Sequence, residues 1–128
     1  MDILLVEDHK SIINGLKYTF DVNNYNLIAK TTIKESIEYL ENNKPEIIIL
    51  DVSLPDGNGF DLYKKVIKRK NIPVIFLTAR DDEDDVIKGL NLGAEDYMTK
   101  PFSTKELLVR VNKIILRNKK ITLFKVKD

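Results

Sequence analysis

Several polar side chains stand directly after short apolar runs in this sequence. Glu7 and Asp8 follow Ile3, Leu4, Leu5 and Val6; Asp51 follows the run 47–50; Thr78 closes the run 74–77; Lys100 follows Tyr97, Met98 and Thr99. Three carboxylates gathered in one place repel one another and stay ionised together only around a cation. With no cysteine and a single histidine in the chain, such a site calls for a hard ion held by oxygen, Mg2+ or Mn2+. His9 adjoins the acids, but one imidazole does not make a transition-metal site, and it reads as an exposed loop or helix-start residue. A divalent ion, a lysine ammonium and a hydroxyl form a set that holds a phosphoryl group, whose transfer needs chiefly positioning and charge compensation. Neither a Walker-type sequence nor a GxGxxG follows the first apolar run. The phosphoryl group therefore comes from a donor other than a nucleotide held in such a loop, and a carboxylate accepts it. Asp51 is the candidate acceptor. It ends the most apolar run and precedes Ser53-Leu54-Pro55-Asp56-Gly57-Asn58-Gly59, turn-forming residues whose backbone amides can face an anion. Taken alone, Asp51 reads equally as a turn or helix cap; the other polar residues select the acceptor reading.

The elements that position these residues alternate in type. The apolar runs at 3–6, 25–29, 47–50, 74–77 and 97–98 predict strands, the second of them at a sheet edge. Between them, apolar residues recur at helical spacing: Ile12, Ile13, Leu16 and Phe20; Ile33, Ile37 and Leu40; Phe60, Tyr63, Val66 and Ile67; Val86, Ile87 and Leu90; Leu107, Leu108, Val111, Ile114 and Ile115. Asn42, Asn43 and Pro45 end the second helix and Gly93 follows the fourth. Ser103 with Glu106 three residues on predicts a capping box for the fifth. Five strand–helix units with continuous apolar strands predict an α/β fold: a five-stranded parallel sheet with helices on both faces, doubly wound and flavodoxin-like. In such a sheet the working crevice lies beyond the carboxyl ends of the strands, where the chemical residues fall.

Length and composition set the frame. The 128 residues form one compact domain by default. The net charge of +1 removes any case for nucleic-acid binding from bulk charge. No apolar run approaches the roughly 18 residues of a membrane span, Asp2 directly after Met1 is unlike a secretion signal, and the lack of cysteine fits a reducing compartment. A cytoplasmic protein without membrane contact is expected.

The chain resembles the receiver domain of two-component response regulators over residues 1–117. Leu4-Leu5-Val6-Glu7-Asp8, Ile49-Leu50-Asp51-Val52-Ser53-Leu54-Pro55-Asp56-Gly57-Asn58-Gly59, Leu77-Thr78-Ala79-Arg80 and Gly93-Ala94-Glu95-Asp96-Tyr97-Met98-Thr99-Lys100-Pro101-Phe102 carry the resemblance, in order and spacing. It implies strand order 2-1-3-4-5. It implies that Asp51 accepts phosphate from a sensor histidine kinase. Asp8, Asp51 and the Ser53 carbonyl would ligate Mg2+, with Glu7 assisting, and Thr78 and Lys100 would bind the phosphoryl oxygens. It also implies a cis Lys100–Pro101 bond and a switch in which Tyr97 moves inward when Thr78 is drawn to the phosphate. Without the family, Tyr97 reads as a half-buried packing residue.

Arg80-Asp81-Asp82, Asp96-Tyr97 and Lys100-Pro101-Phe102 are most similar to the transcription-factor branch with winged-helix output. That likeness implies a two-fold homodimer on phosphorylation, with Lys88, Glu95, Asp96, Lys105, Glu106 and Arg110 on the shared face and DNA bound only through a separate C-terminal domain. Ser53 departs from that branch, where methionine is frequent. Residues 118–128 read as a linker or the start of an absent output domain, with 121–124 a possible short strand. Three other readings stand beside this one: a stand-alone receiver acting through protein contacts, a magnesium-dependent aspartyl phosphatase, and an inert pseudo-receiver, which would lack the acceptor or the lysine. The phosphatase commonly needs a second acid as proton donor, and Ser53 occupies the place two residues after Asp51.

Overall fold

The computed structural model describes the backbone of residues 1–79 and 83–127 and, of these, the side chains of all but 83, 85, 86, 90 and 120–127. The Arg80-Asp81-Asp82 signature lies outside the described residues. One parallel sheet holds β1 (Asp2–Val6), β2 (Asn26–Lys30), β3 (Ile47–Asp51), β4 (Val74–Ala79) and β5 (Asp96–Lys100). Their spatial order is β2-β1-β3-β4-β5, as expected for the doubly wound fold, and β2 is an edge. Among the described residues no helix is long and apolar enough to cross a membrane.

Strand alternation sorts the side chains into two layers. Ile3, Leu5, Ile47, Ile49, Ile75, Leu77 and Met98 pack on one face against Leu16 and Phe20 of α1 (Lys10–Asp21) and Leu107, Val111, Ile114 and Ile115 of α5 (Thr104–Lys127). Leu4, Val6, Ile48, Leu50, Val74 and Phe76 pack on the other, against Leu40 of α2 (Ile33–Asn42) and the segment that begins as α3 (Gly59–Leu62). That segment widens into a π turn over Tyr63–Ile67 and tightens over Lys68–Lys70. Phe60 and Phe76 meet edge to face at 4.8 Å, a geometry that suits the quadrupoles of the two rings. α4 (Glu83–Leu92) covers the same pair: a Cβ on Gly89 would stand 3.1 Å from Phe76 and 3.3 Å from Phe60.

Local chemistry explains the helix boundaries. Thr32 caps α2, accepting the Glu35 N–H at 3.1 Å, and its hydroxyl lies 3.1 Å from the Glu35 carboxylate, which it meets side chain to side chain. The box expected at α5 is half formed. Ser103 accepts the Glu106 N–H at 3.3 Å, while the Glu106 carboxylate turns to Arg110 at 2.9 Å because the opposite charge one turn on is the stronger partner. Gly93 ends α4 with φ +101°, a left-handed conformation that costs glycine nothing. The expected strand at 121–124 is corrected: α5 runs unbroken past residue 117 to Lys127. No glycine or proline occurs after Pro101, so nothing in the backbone stops the helix, and β-branched residues at 121–122 lower its propensity only slightly.

Candidate functional site

Register places the chemical residues on one rim. Val6 aligns with Leu50, Asp51 with Leu77, Thr78 with Thr99, and Ala79 with Lys100. β1, β3 and β4 therefore bring Glu7, Asp51 and Thr78 within one residue of the same level, and β5 places Lys100 two residues beyond the level of Asp51. Glu7 is tied to β2 by its N–H to the Lys30 carbonyl at 3.0 Å, and Val52 to β4 by its N–H to the Leu77 carbonyl at 3.0 Å.

Three charged side chains meet at the centre. Lys100 Nζ lies 2.8 Å from Glu7 Oε1 and 3.0 Å from Asp51 Oδ2. Glu7 is fully buried, Asp51 and Thr78 are nearly so, and Asp8 is half-exposed. Glu7 Oε2 accepts the Asp8 N–H at 2.9 Å and pairs with His9 Nδ1 at 3.1 Å. Asp51 Oδ1 accepts the Ser53 N–H at 3.2 Å. The turn after β3 closes tightly, with the Gly59 N–H 2.7 Å from the Val52 carbonyl. A Cβ at Gly59 would stand 2.3 Å from the Asp51 backbone oxygen, so only glycine lets the chain turn this close beneath the acid.

The electrostatics are those of a site short of positive charge. Burial pushes the Asp51 carboxyl up to about 7, with the neighbouring Glu7 adding to the shift and Lys100 opposing it. Burial raises Glu7 as well, but its close polar contacts with Asp51, Lys100 and His9 outweigh it and hold that carboxyl down to about 2. Burial lowers the Lys100 ammonium, and its two carboxylate partners reverse this and raise it. One lysine beside two buried acids favours keeping a proton on the pair as pH rises towards neutrality. Glu7, Asp8, His9 and Asp51 bring one ligand atom each within 4.8 Å of one another. Among the described residues, Asp8 Oδ1 and Thr78 Oγ1 are buried without a hydrogen-bond partner, and Glu7 Oε1 meets Lys100 at ion-pair distance without hydrogen-bond alignment. Buried polar atoms are rarely left so. These acids fit a divalent cation of the magnesium kind, whose charge would replace the shared proton.

These features place the chain among known proteins. Residues 3–112 match the family model of the response regulator receiver domain. The chain belongs to that family. The receiver domain is 41% identical over 117 residues to the alkaline phosphatase synthesis transcriptional regulatory protein PhoP of Bacillus subtilis, covering 91% of this chain and 49% of that protein. It is 40% identical over 119 residues to the response regulator SaeR of Staphylococcus aureus, covering 92% of this chain and 52% of that protein. The chain thus spans about half the length of these relatives. The Francisella response regulator 1452 receiver domain superposes with a TM-score of 0.84 at 35% identity, over 91% of this chain and 98% of that one.

The residues expected in this receiver domain divide into a central group and a side face. Glu7, Asp8, Asp51 and Lys100 stand together, and Ser53 adjoins them through its amide. Thr78 stands at the same rim, and the Lys100–Pro101 bond is cis. Tyr97 is half-buried against the layer containing Phe60 and Phe76; it pairs with Phe76 across the strands, and Thr78 lies two residues further along that face. On the side face, Arg110 Nη1 contacts both Asp96 oxygens, at 2.9 and 2.8 Å, and its other nitrogen reaches Glu106 at 2.9 Å. Glu95 pairs with Arg117, Lys88 lies over the Phe60 ring at 5.3 Å, and Lys105 is exposed. Two contributors were missed by sequence reasoning. His9 is exposed at the start of α1 as expected, yet also bonds Glu7. Asp56 accepts the N–H groups of Ile33 and Lys34 at 2.8 and 3.1 Å; its place in a Pro-Asp-Gly turn signalled a turn, not a partner 22 residues away.

Proposed function

We propose that this receiver domain is a phosphorylation switch, a regulatory element rather than a turnover enzyme, and that Asp51 is its acceptor. The supporting observation is a nearly buried Asp51 ion-paired to Lys100 beside two further acids and a Thr78 hydroxyl that has no partner among the described residues. A carboxylate oxygen of Asp51 attacks the phosphorus of a phosphohistidine on a sensor kinase. The new P–O bond forms as the P–N bond breaks, and the imidazole leaves with the electron pair. Asp8, Asp51 and the Ser53 carbonyl would hold Mg2+, with Glu7 assisting. The ion supplies charge neutralisation of the phosphoryl oxygens when bound. Lys100 moves from bridging two carboxylates to an ammonium–phosphoryl contact, and Thr78 Oγ1 donates to another phosphoryl oxygen.

Engagement of Thr78 then favours an inward Tyr97 and a two-fold dimer through the face bearing Lys88, Glu95, Asp96, Lys105, Glu106 and Arg110. Output is transcriptional, through a C-terminal DNA-binding domain of the winged-helix kind. One relative's name supports this, since a protein about twice as long is called a transcriptional regulatory protein. The kinase partner places the work in the cytoplasm. Incubation with acetyl phosphate and Mg2+ tests the acceptor: the intact mass rises by one phosphoryl group, and neither Asp51→Asn nor omission of Mg2+ permits it. An unchanged wild-type mass would reject the proposal.

A further inference from the structure

Helix α2 is bracketed at both ends by charged residues of the crossover that follows β3. At its start, Asp56 Oδ1 accepts the Ile33 N–H at 2.8 Å and Oδ2 accepts the Lys34 N–H at 3.1 Å. These are the first two helical amides, which have no partner inside the helix. At its end, Lys70 Nζ donates to the Leu40 carbonyl at 3.3 Å. A negative group at the amino end and a positive one at the carboxyl end both suit the helix dipole.

The two brackets differ in where they stand. Lys70 lies just before Val74 opens β4, at the amino-terminal edge of the sheet. Asp56 lies at the carboxyl-terminal rim, five residues after Asp51. Between them Ser53–Leu54 pairs antiparallel with Gly57–Asn58, so residues 53–58 form a small hairpin. Its base is fixed by the Gly59 N–H to the Val52 carbonyl at 2.7 Å, and Asn58 Oδ1 accepts the Phe60 N–H at 2.7 Å. Asp56, at the tip, ties the hairpin to α2. Ser53, at the first strand of the hairpin, donates its N–H to Asp51 Oδ1.

We infer that Asp56 is a positioning residue for the acceptor site, holding the Ser53-bearing hairpin in place by anchoring its tip to the first turn of α2. The inference rests on the reading of Asp51 as a metal-dependent acceptor. It also makes the amides of Ile33 and Lys34 respond to what the site holds. Lys70 provides the control, because its loss weakens the same helix from the end remote from the site.

The test is a Mg2+ titration of wild type, Asp56→Ala, Asp56→Asn and Lys70→Ala, followed by amide NMR, since the chain has no tryptophan. Asp56→Ala should raise the apparent Kd for Mg2+ by about tenfold, as loss of an outer support to a metal ligand typically does. Asp56→Asn, which keeps one acceptor oxygen, should fall between. Lys70→Ala should stay within about twofold of wild type, although it lowers the melting temperature. In wild type the Ile33 and Lys34 resonances should move with the same Kd as Asp51. Wild-type affinity in Asp56→Ala, or an equal loss in Lys70→Ala, would overturn the positioning role. A wild type that shows no response to Mg2+ would overturn the acceptor reading, and this inference with it.

Discussion

Lys100 Nζ stands 3.0 Å from Asp51 Oδ2, and that single contact joins residues 49 positions apart. The same nitrogen reaches Glu7 at 2.8 Å, so two buried carboxylates share one cation. Everything expected of this rim follows from that deficit of positive charge.

The deficit sets how stability varies with pH in the absence of metal. Burial raises the Asp51 carboxyl to about 7, above its value in the unfolded chain. Its stabilising contribution is therefore complete below about pH 4 and is lost as pH rises towards 7. Asp51→Asn removes this loss. The variant should be more stable than wild type by about 1–3 kcal/mol at pH 8, with the difference vanishing near pH 4. Urea unfolding at the two pH values measures it; a variant no more stable at pH 8 than wild type would contradict the shared-charge account.

Mg2+ binding should carry the opposite pH trend. Below the Asp51 titration a proton must leave before the ion is held, so affinity should rise with pH, by up to about tenfold per unit, and level off above about 7. Calorimetry in buffers of different ionisation heat should find proton release at pH 6 and none at pH 8.5.

Gly59 has no room for a side chain. A Cβ there would meet the Asp51 carbonyl oxygen at 2.3 Å, and backbone cannot move aside as a flexible side chain does. Gly59→Ala should cost about 2–4 kcal/mol and lower phosphoryl uptake from acetyl phosphate. An unfolding midpoint equal to that of wild type would show that the turn has slack.

Arg110 makes the opposite case. It is partly exposed and grips Asp96 and Glu106 within one chain. Such surface pairs contribute less than about 1 kcal/mol, so Arg110→Ala should scarcely change the melting temperature. In the proposed switch, beryllofluoride with Mg2+ should induce a dimer of the wild type in sizing chromatography, and the same variant should lose it, because charge complementarity sets the register of an isologous face.

The rim was legible because backbone rules place it. Apolar runs stopping at Glu7, Asp51 and Thr78 mark strand ends, and a parallel sheet gathers such ends. What sequence did not disclose are contacts without periodicity. Lys100 was expected as a counter-cation, but its bridge to Glu7 depends on the depth of two strands. Asp56 bonds amides of an earlier helix, and His9 bonds an acid that is out of step with its own helix. The segment 121–124 misled for a different reason: its β-branched and aromatic residues favour a strand locally, yet helix already formed upstream extends for as long as no residue breaks it.

The two side-chain layers divide the molecule's surfaces between different duties. Thr78 and Tyr97 lie on the face of the sheet under α4, so in the proposed switch a pull on the hydroxyl would reach the ring through neighbouring side chains. The layer under α1 and α5 lies on the far side of a hydrogen-bonded sheet. In the proposed switch, the flank under α1 and α5 is expected to keep one shape whatever Asp51 carries, so that a phosphoryl donor would meet the same surface in either state. The flank under α4 is the one expected to change, and so the one a partner could use to tell the two states apart.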